Sequence, residues 1–277
     1  METLKINYID YWHGMKKDSF YFTEIMKKHY DVVIENDLNK CDILFTGPFG
    51  NQKVMEHPFK LYYTGENRRD DFVNNKYCFS YNYNNHPNHY TLPIYYTTTN
   101  FKRIKQENRI MTPRTKFASF LFSNGGVKVR NEIFKSLSDY KRVDSGGRFA
   151  NNIGGPVPPL QTIPWQSQYK FSLSCENVIA PGFITEKIVH GYHAGSIPIY
   201  WGTETIREEL NTKSFINVSD FVNMKELIEY IIEVDNNDQL YQDILNQPLL
   251  VNNEYNPDYT EDAIALKIKE LFEQSKK

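Results

Sequence analysis

The chain has 277 residues, with 32 Lys plus Arg against 34 Asp plus Glu and a formal net charge of −2. That length buries an ample core in one large domain or two smaller ones, and the near-balance of charge, with no long block of either sign, argues against an electrostatic grip on nucleic acid or a membrane surface. No run approaches the ~18 apolar residues of a membrane helix, and Cys41, Cys78 and Cys175 follow no metal-ligand spacing, so they read as reduced thiols of a cytoplasmic protein.

In chain order, "LKINYID" reads as a strand, "DSFYFTEIMKKHY" as a helix opened by Asp18, and "DVVIE", "CDILFTG" and "KLYYTGEN" as further strands, the last running into a Gly turn. Residues 70–96 hold strand-like pieces rich in Tyr and Asn. The polar, weakly patterned segment 97–114, closing with Pro113, is the expected link between an acceptor-side domain over 1–112 and a donor domain over 113–255. Beyond it, "KFASFLFSN" is a strand, "VRNEIFKSLSDY" a helix and "KRVDSGG" a strand, followed by a Gly/Pro-rich loop. In the strand "YKFSLSCEN", Phe171, Leu173 and Cys175 fall on one face and Ser172, Ser174 and Glu176 on the other. A helix from Thr185, the strand "SIPIYWG", a helix capped by Thr205 with Glu208 three residues on, the strand "SFINV" and the helix "NMKELIEYIIEV" follow. A last helix within 256–277 is expected to pack back on the first domain. This alternation predicts an α/β protein of two facing Rossmann-like domains, with ligands in a central cleft at the carboxyl ends of parallel strands.

The stretch "PGFITEKIVHGYH" carries the first chemical signal. Gly182 permits a close backbone approach, Thr185 suits a helix cap, and free amides with Lys187 in the first turn suit a diphosphate, while the Glu186 carboxylate suits a ribose diol. The same residues also describe an ordinary capped helix with a solvated Glu/Lys pair. Arg130, after "FSNGGVK", is a second cation for the same cleft or a surface residue. Ser123, Asn124 and Asn177 end strands and are candidate donor contacts or plain strand termini. The run "DSGG" with Arg148 matches neither a P-loop nor GxGxxG. Glu66, delivered by an apolar strand past a Gly turn, is either a general base withdrawn from water or an exposed turn acid. Glu186, His190 and His193 share a helical face but no further ligand cluster adjoins them; with no Asp-x-Asp and no GxSxG in the chain, neither a metal nor a serine nucleophile is expected. Tyr11, Trp12 and His13 are candidate acceptor contacts, Trp12 being equally suited to a core.

The stretch "YKFSLSCENVIAPGFITEKIVHGYHAGSIPIYWG" closely resembles the donor-binding signature of the α1,3/1,4-fucosyltransferases, glycosyltransferase family 10. "YYTGEN", "FASFLFSN", "VRNEIF", "NNIGG" and "SFINVSDF" extend the likeness in family order over roughly residues 40–235. The resemblance implies a GT-B fold and an inverting transfer of L-fucose from GDP-fucose to a hydroxyl, O3 of GlcNAc or glucose, on an oligosaccharide acceptor, with no cofactor and no essential metal. It further implies Glu66 as general base, Arg130 and Lys187 on the pyrophosphate, Glu186 on the ribose and Asn177 on the donor. Where the family often has Tyr, this chain has Phe183, which removes a hydroxyl from the donor pocket. A same-fold transferase for another nucleotide deoxysugar and a catalytically inactive glycan-binding protein are the alternatives. The expected location is cytoplasmic, with no nucleic-acid partner; the basic end "ALKIKELFEQSKK" leaves open a peripheral membrane contact through the C-terminal helix.

Overall fold

The computed structural model describes residues 1–97 and 101–276, apart from the side chains of Lys53, Phe101 and Lys102. The chain divides into two compact units, Met1–Thr98 with Tyr255–Lys277, and Thr99–Glu254.

In the first unit, β1 (Thr3–Ile9), α1 (Tyr21–Met26), β2 (Asp31–Ile34), β3 (Ile43–Thr46), β4 (Lys60–Tyr63), β5 (Tyr77–Ser80), β6 (His89–Thr91) and α2 (Ile94–Thr97) follow in order. All strand pairs are parallel, in the order β2-β1-β3-β4-β5-β6. Every residue of β3, β4 and β5 is buried, as a parallel sheet covered on both faces requires. Asp18 does not open α1: it lies in a separate 3-10 turn, Lys17–Ser19, and the cap position falls to Phe20, whose aromatic ring packs against Tyr8 and Tyr63.

The second unit contains β7 (Lys116–Phe120), α3 (Lys128–Tyr140), β8 (Val143–Ser145), α4 (Thr162–Gln166), β9 (Tyr169–Cys175), α5 (Glu186–His193), β10 (Ile197–Trp201), α6 (Ile206–Glu209), β11 (Ile216–Asn217), α7 (Met224–Asn236) and α8 (Asp238–Leu245). Its sheet is parallel in the order β11-β10-β9-β7-β8. The chain leaves β7 for β8 on one side and later crosses to β9 on the other. The topological switch point therefore lies between β7 and β9, where open α/β sheets hold their ligands. Leu227, Ile231 and Val234 of α7 recur at helical spacing and are buried in this core, and Asn223 caps the helix by accepting from the Glu226 amide at 3.0 Å.

The chain then returns to the first unit with α9 (Glu261–Ser275), capped by Thr260 on the Ala263 amide at 3.2 Å. Ile264, Ala265, Ile268 and Phe272 sit in the first unit's core, so the apolar face of the helix is committed to protein packing. No helix among the described residues is long and apolar enough to cross a membrane.

The boundary placed at 112 differs from the structure, where the division falls at Thr98 and Thr99. The reason is Arg109, buried over the Tyr192 ring at 4.2 Å, which donates to the carbonyls of Tyr192 (2.9 Å), Ser196 (2.7 Å) and Leu245. With Ile104 also buried, residues 101–112 are part of the second unit rather than a link; residues 98–100 of the expected link lie outside the described residues.

Candidate active site

Two loops leave the switch point of the second sheet, one from β7 and one from β9. The β7 loop passes Ser123 and Asn124, both exposed, before α3 brings Arg130 back beneath it. Arg130 is fully enclosed: its guanidinium stacks over Phe122 at 4.0 Å, donates from Nη1 to Asn177 Oδ1 at 3.0 Å and from Nη2 to the Asn124 carbonyl. Burial pulls its pKa below the usual guanidinium value, against the opposing influence of Cys175 and Glu176, and its Nε is buried without a partner among the described residues. Arg130, Asn177 and Asn124 are thus brought together. Ser123 stands aside, its hydroxyl 3.5 Å from the Arg148 amide.

From β9 the chain runs into Glu176 and Asn177, and α5 begins ten residues later. Glu176 is completely buried and accepts from the Thr185 amide (2.8 Å), the Thr185 hydroxyl (2.9 Å to each oxygen) and Lys187 Nζ (3.0 Å). Lys187 also donates to the Thr185 hydroxyl at 2.7 Å, with Glu186 at 3.7 Å. Two of the ammonium's three donor positions are therefore engaged, and its side chain keeps 20% exposure. Burial pushes the Glu176 carboxyl up while Lys187 pulls it back; for Lys187 burial is outweighed by Glu176 and Glu186, which hold it protonated. Arg130 is close enough to act against the Lys187 proton, so the two cations share one field.

Several local expectations are corrected here. Thr185 occupies the cap position but makes no side-chain cap bond, because its hydroxyl is turned to Glu176. Thr205 likewise does not cap α6; its hydroxyl accepts from the Gly182 amide at 2.9 Å, fixing a turn in which Gly182 takes φ +76. The "DSGG" run is a packing device: a Cβ on Gly147 would stand 1.8 Å from the Phe122 carbonyl oxygen. Ser172 and Ser174 are buried with Glu176, since α5 seats its Gly191 against them, leaving the polar side of β9 no water to face. Phe183 is buried beside this loop. Among the described residues no His, Cys, Asp and Glu groups gather as a metal site, and the three cysteines are free and buried.

In the first unit, Glu66 follows β4 at the carboxyl edge of the sheet. It is exposed, not withdrawn from water; its turn is held by the Thr64 hydroxyl, which accepts from the Glu66 amide at 3.0 Å, and by the Arg68 amide, which donates to the Glu66 carbonyl at 2.7 Å. The following loop is pinned more firmly. Ser80 donates to Asp70 at 2.5 Å and lies 3.0 Å from His89 Nε2, while Tyr81 donates to Asn67 at 2.9 Å. This Ser-His-Asp grouping is no nucleophile, since Ser80 is buried and its proton goes to the carboxylate. Tyr11, Trp12 and His13 follow β1, beside the switch point of the first sheet. The Tyr11 hydroxyl is buried and its ring packs on Tyr8 and Phe20, so Tyr11 is core; Trp12 leans on Tyr11 and Phe20 yet keeps 49% exposure, and His13 is exposed.

Glu176 is the residue the sequence reading passed over. Its signal was an acid directly after a strand destined for burial on both faces, which has to find a cation.

Two family models match the chain: glycosyltransferase family 10 (fucosyltransferase), C-terminal part, over residues 111–246, and the α-(1,3)-fucosyltransferase FucT N-terminal domain over residues 6–98. The chain belongs to glycosyltransferase family 10. A relative, α-(1,3)-fucosyltransferase FucT of Helicobacter pylori, is 29% identical over 287 aligned positions, 87% of this chain and 59% of that protein. A protein of Acanthamoeba polyphaga mimivirus that carries a provisional fucosyltransferase name is 35% identical over 170 residues, 58% of this chain and 28% of its own length. The chain thus spans between about a quarter and three fifths of these relatives. A crystal structure of an α1,3-fucosyltransferase superposes with a TM-score of 0.84 at 24% identity, covering 98% of this chain and 90% of that one. The same enzyme type with GDP-fucose gives 0.82 at 25% identity, over 98% and 91%. The family-10 fold is GT-B, built here from two parallel-sheet α/β units.

Proposed function

We propose that the chain transfers L-fucose from GDP-fucose to a glycan hydroxyl, O3 of a GlcNAc or glucose unit, with inversion at the anomeric carbon and without an essential metal. One observation carries the reading: two cations are anchored on consecutive residues, Arg130 on Asn177 and Lys187 on Glu176, at the switch point of the second sheet and the start of α5. A leaving diphosphate is stabilised by fixed positive charge placed where negative charge grows, and a helix start adds oriented amides. Lys187 presents its remaining donor, and Arg130 acts from beneath the β7 loop. The names of the relatives and the donor in the solved complex support the choice of sugar nucleotide.

In this reading Glu66 takes the proton of the acceptor hydroxyl as that oxygen bonds to the anomeric carbon, and the bond to the GDP β-phosphate oxygen breaks. General-base action is worth ~10²–10⁴ in rate. Glu66→Gln is expected to lose turnover by that order while binding GDP normally, measured by transfer of labelled fucose on a glycan array and by calorimetry. Lys187→Ala is expected to weaken GDP binding at least several-fold; an unchanged dissociation constant rejects the phosphate role. A thermal-shift panel of GDP, UDP and dTDP, in which GDP alone stabilises, checks the nucleotide.

A further inference from the structure

The edge of the second sheet opposite this site carries a second charged feature. β7, β8 and β9 start side by side there, and around their starts lies an open concavity of ≈ 540 Å³ lined by Arg114, Lys116, Lys141, Arg142 and Lys170, with Asp144 and Asp235 as its only acids. Five cations against two carboxylates leave three positive charges in one hollow of a chain whose net charge is −2.

The acids form the inner brace of this hollow and not its opening. Asp235, 3% exposed in its side chain, accepts from Lys141 at 2.5 Å and Lys170 at 2.7 Å; Asp144, 9% exposed, accepts from Arg142 at 2.6 Å and lies 3.6 Å from Lys116. The hydroxyls of Tyr140 and Tyr169 complete the two carboxylates at 3.1 and 2.8 Å. The lysines rest on ring faces as well, Lys170 on Tyr241 at 4.7 Å, Lys141 on Tyr140 at 5.0 Å and Lys116 on Tyr169 at 5.2 Å. Cations held this way are arranged before any ligand arrives, which removes part of the ordering cost of binding.

Arg114 has no share in the brace. Among the described residues it donates to the Ile110 carbonyl, reaches only the Met111 sulfur besides, keeps a buried Nε without a partner and makes no ion pair. A half-buried guanidinium without a counter-charge is costly, and a bound anion is what relieves that cost. Burial accordingly holds Arg114 below the ordinary arginine value.

We propose that this hollow binds a phosphate-bearing anion, either a free di- or polyphosphate or the headgroup of an anionic phospholipid. Converging ammonium and guanidinium groups match phosphate oxygens, and a compact hollow rather than an extended basic stripe does not fit a nucleic-acid backbone. The site is separate from the donor site by fold: it lies at the amino ends of the strands whose carboxyl ends carry Arg130, Glu176 and Asn177.

The test uses the full chain and the double variant Lys141→Gln/Arg142→Gln, which leaves Asp235 with Lys170 and Asp144 with Lys116. Calorimetric titration with inorganic pyrophosphate, and co-sedimentation with phosphatidylglycerol and phosphatidylcholine vesicles, read the two sources. Retention on phosphatidylglycerol alone assigns the lipid headgroup, and pyrophosphate binding without vesicle retention assigns the soluble anion. In either case the double variant weakens binding by about tenfold or more, with pyrophosphate titrated in saturating GDP so that the donor site is already filled. If the double variant melts early, Arg142→Gln alone, on a side chain 70% exposed, takes its place with a smaller loss in the same direction. The proposal is overturned if neither pyrophosphate nor phosphatidylglycerol binds, if the charge-removed variants bind as tightly as the native chain, or if saturating GDP abolishes the binding.

Discussion

Lys187 is held in place by Glu176, and that pairing sets what each can tolerate. Glu176→Ala leaves a largely buried ammonium with only the half-exposed Glu186 carboxylate at 3.7 Å, and removing one partner of such a pair destabilises by about 3 kcal/mol, measured by urea unfolding. Glu176→Gln retains acceptor and donor atoms for Thr185 and is expected to lose less than half of that. The residues visible in the sequence were the ones whose type and position are tied to a turn: Lys187 and Glu186 at a helix start, Arg130 after a Gly pair, Glu66 past a Gly. Glu176 was hidden because alternation along β9 assigns it to a polar face, and only the pairing of β9 with both β7 and β10, with Gly191 of α5 seated on top, shows that face to be buried. Hydroxyl partners were equally hidden. Thr185 and Thr205 both have cap-forming chemistry, and both spend it on partners 9 and 23 residues away, Glu176 and Gly182.

Among the elements, the segment 101–112 was misread for want of one tertiary contact. Its polarity and lack of period match a link, yet Arg109 closes three carbonyls of the second unit and draws the whole stretch into it. Arg109→Met is expected to cost about 3 kcal/mol by orphaning those carbonyls, and to raise amide exchange across 101–110 above that of β9, measured by hydrogen exchange. α9 was legible both as a helix and as an amphipathic one, since Ile264, Ile268 and Phe272 repeat every four residues. What its apolar face covers is not written in the repeat. Phe272→Ala removes a ring packed edge-on against Phe59 at 5.6 Å, and a loss of about 3 kcal/mol, seen as a lowered unfolding midpoint, is expected.

The molecule as a whole has a pH response that its composition does not disclose. Burial lowers His89, in spite of Asp70, and lowers His190, in spite of Glu186; it also lowers His193 to about 4, helped by Arg103 and His190. An unfolded histidine takes a proton near pH ~6.5, so below that value the unfolded chain binds more protons than the folded one and stability falls as pH drops toward 4. Asp144 and Asp235, pushed up by burial but held below the usual carboxylate range by their lysine and arginine partners, add a loss at more acid pH. Melting temperature is therefore expected to decline from about pH 6.5 downward, and a flat profile to pH 5 would contradict these assignments. The two-sheet architecture itself was legible because parallel sheets leave dense apolar strands between amphipathic helices, whereas the division of the chain depended on which strand ends its loops return to. That division bears on synthesis. Thr99–Glu254 emerges from the ribosome as an uninterrupted piece able to fold on arrival, while Met1–Thr98 has to wait, its core open, until α9 is released. A stop codon shortly before Glu261 would thus cripple the portion made first and spare the portion made second.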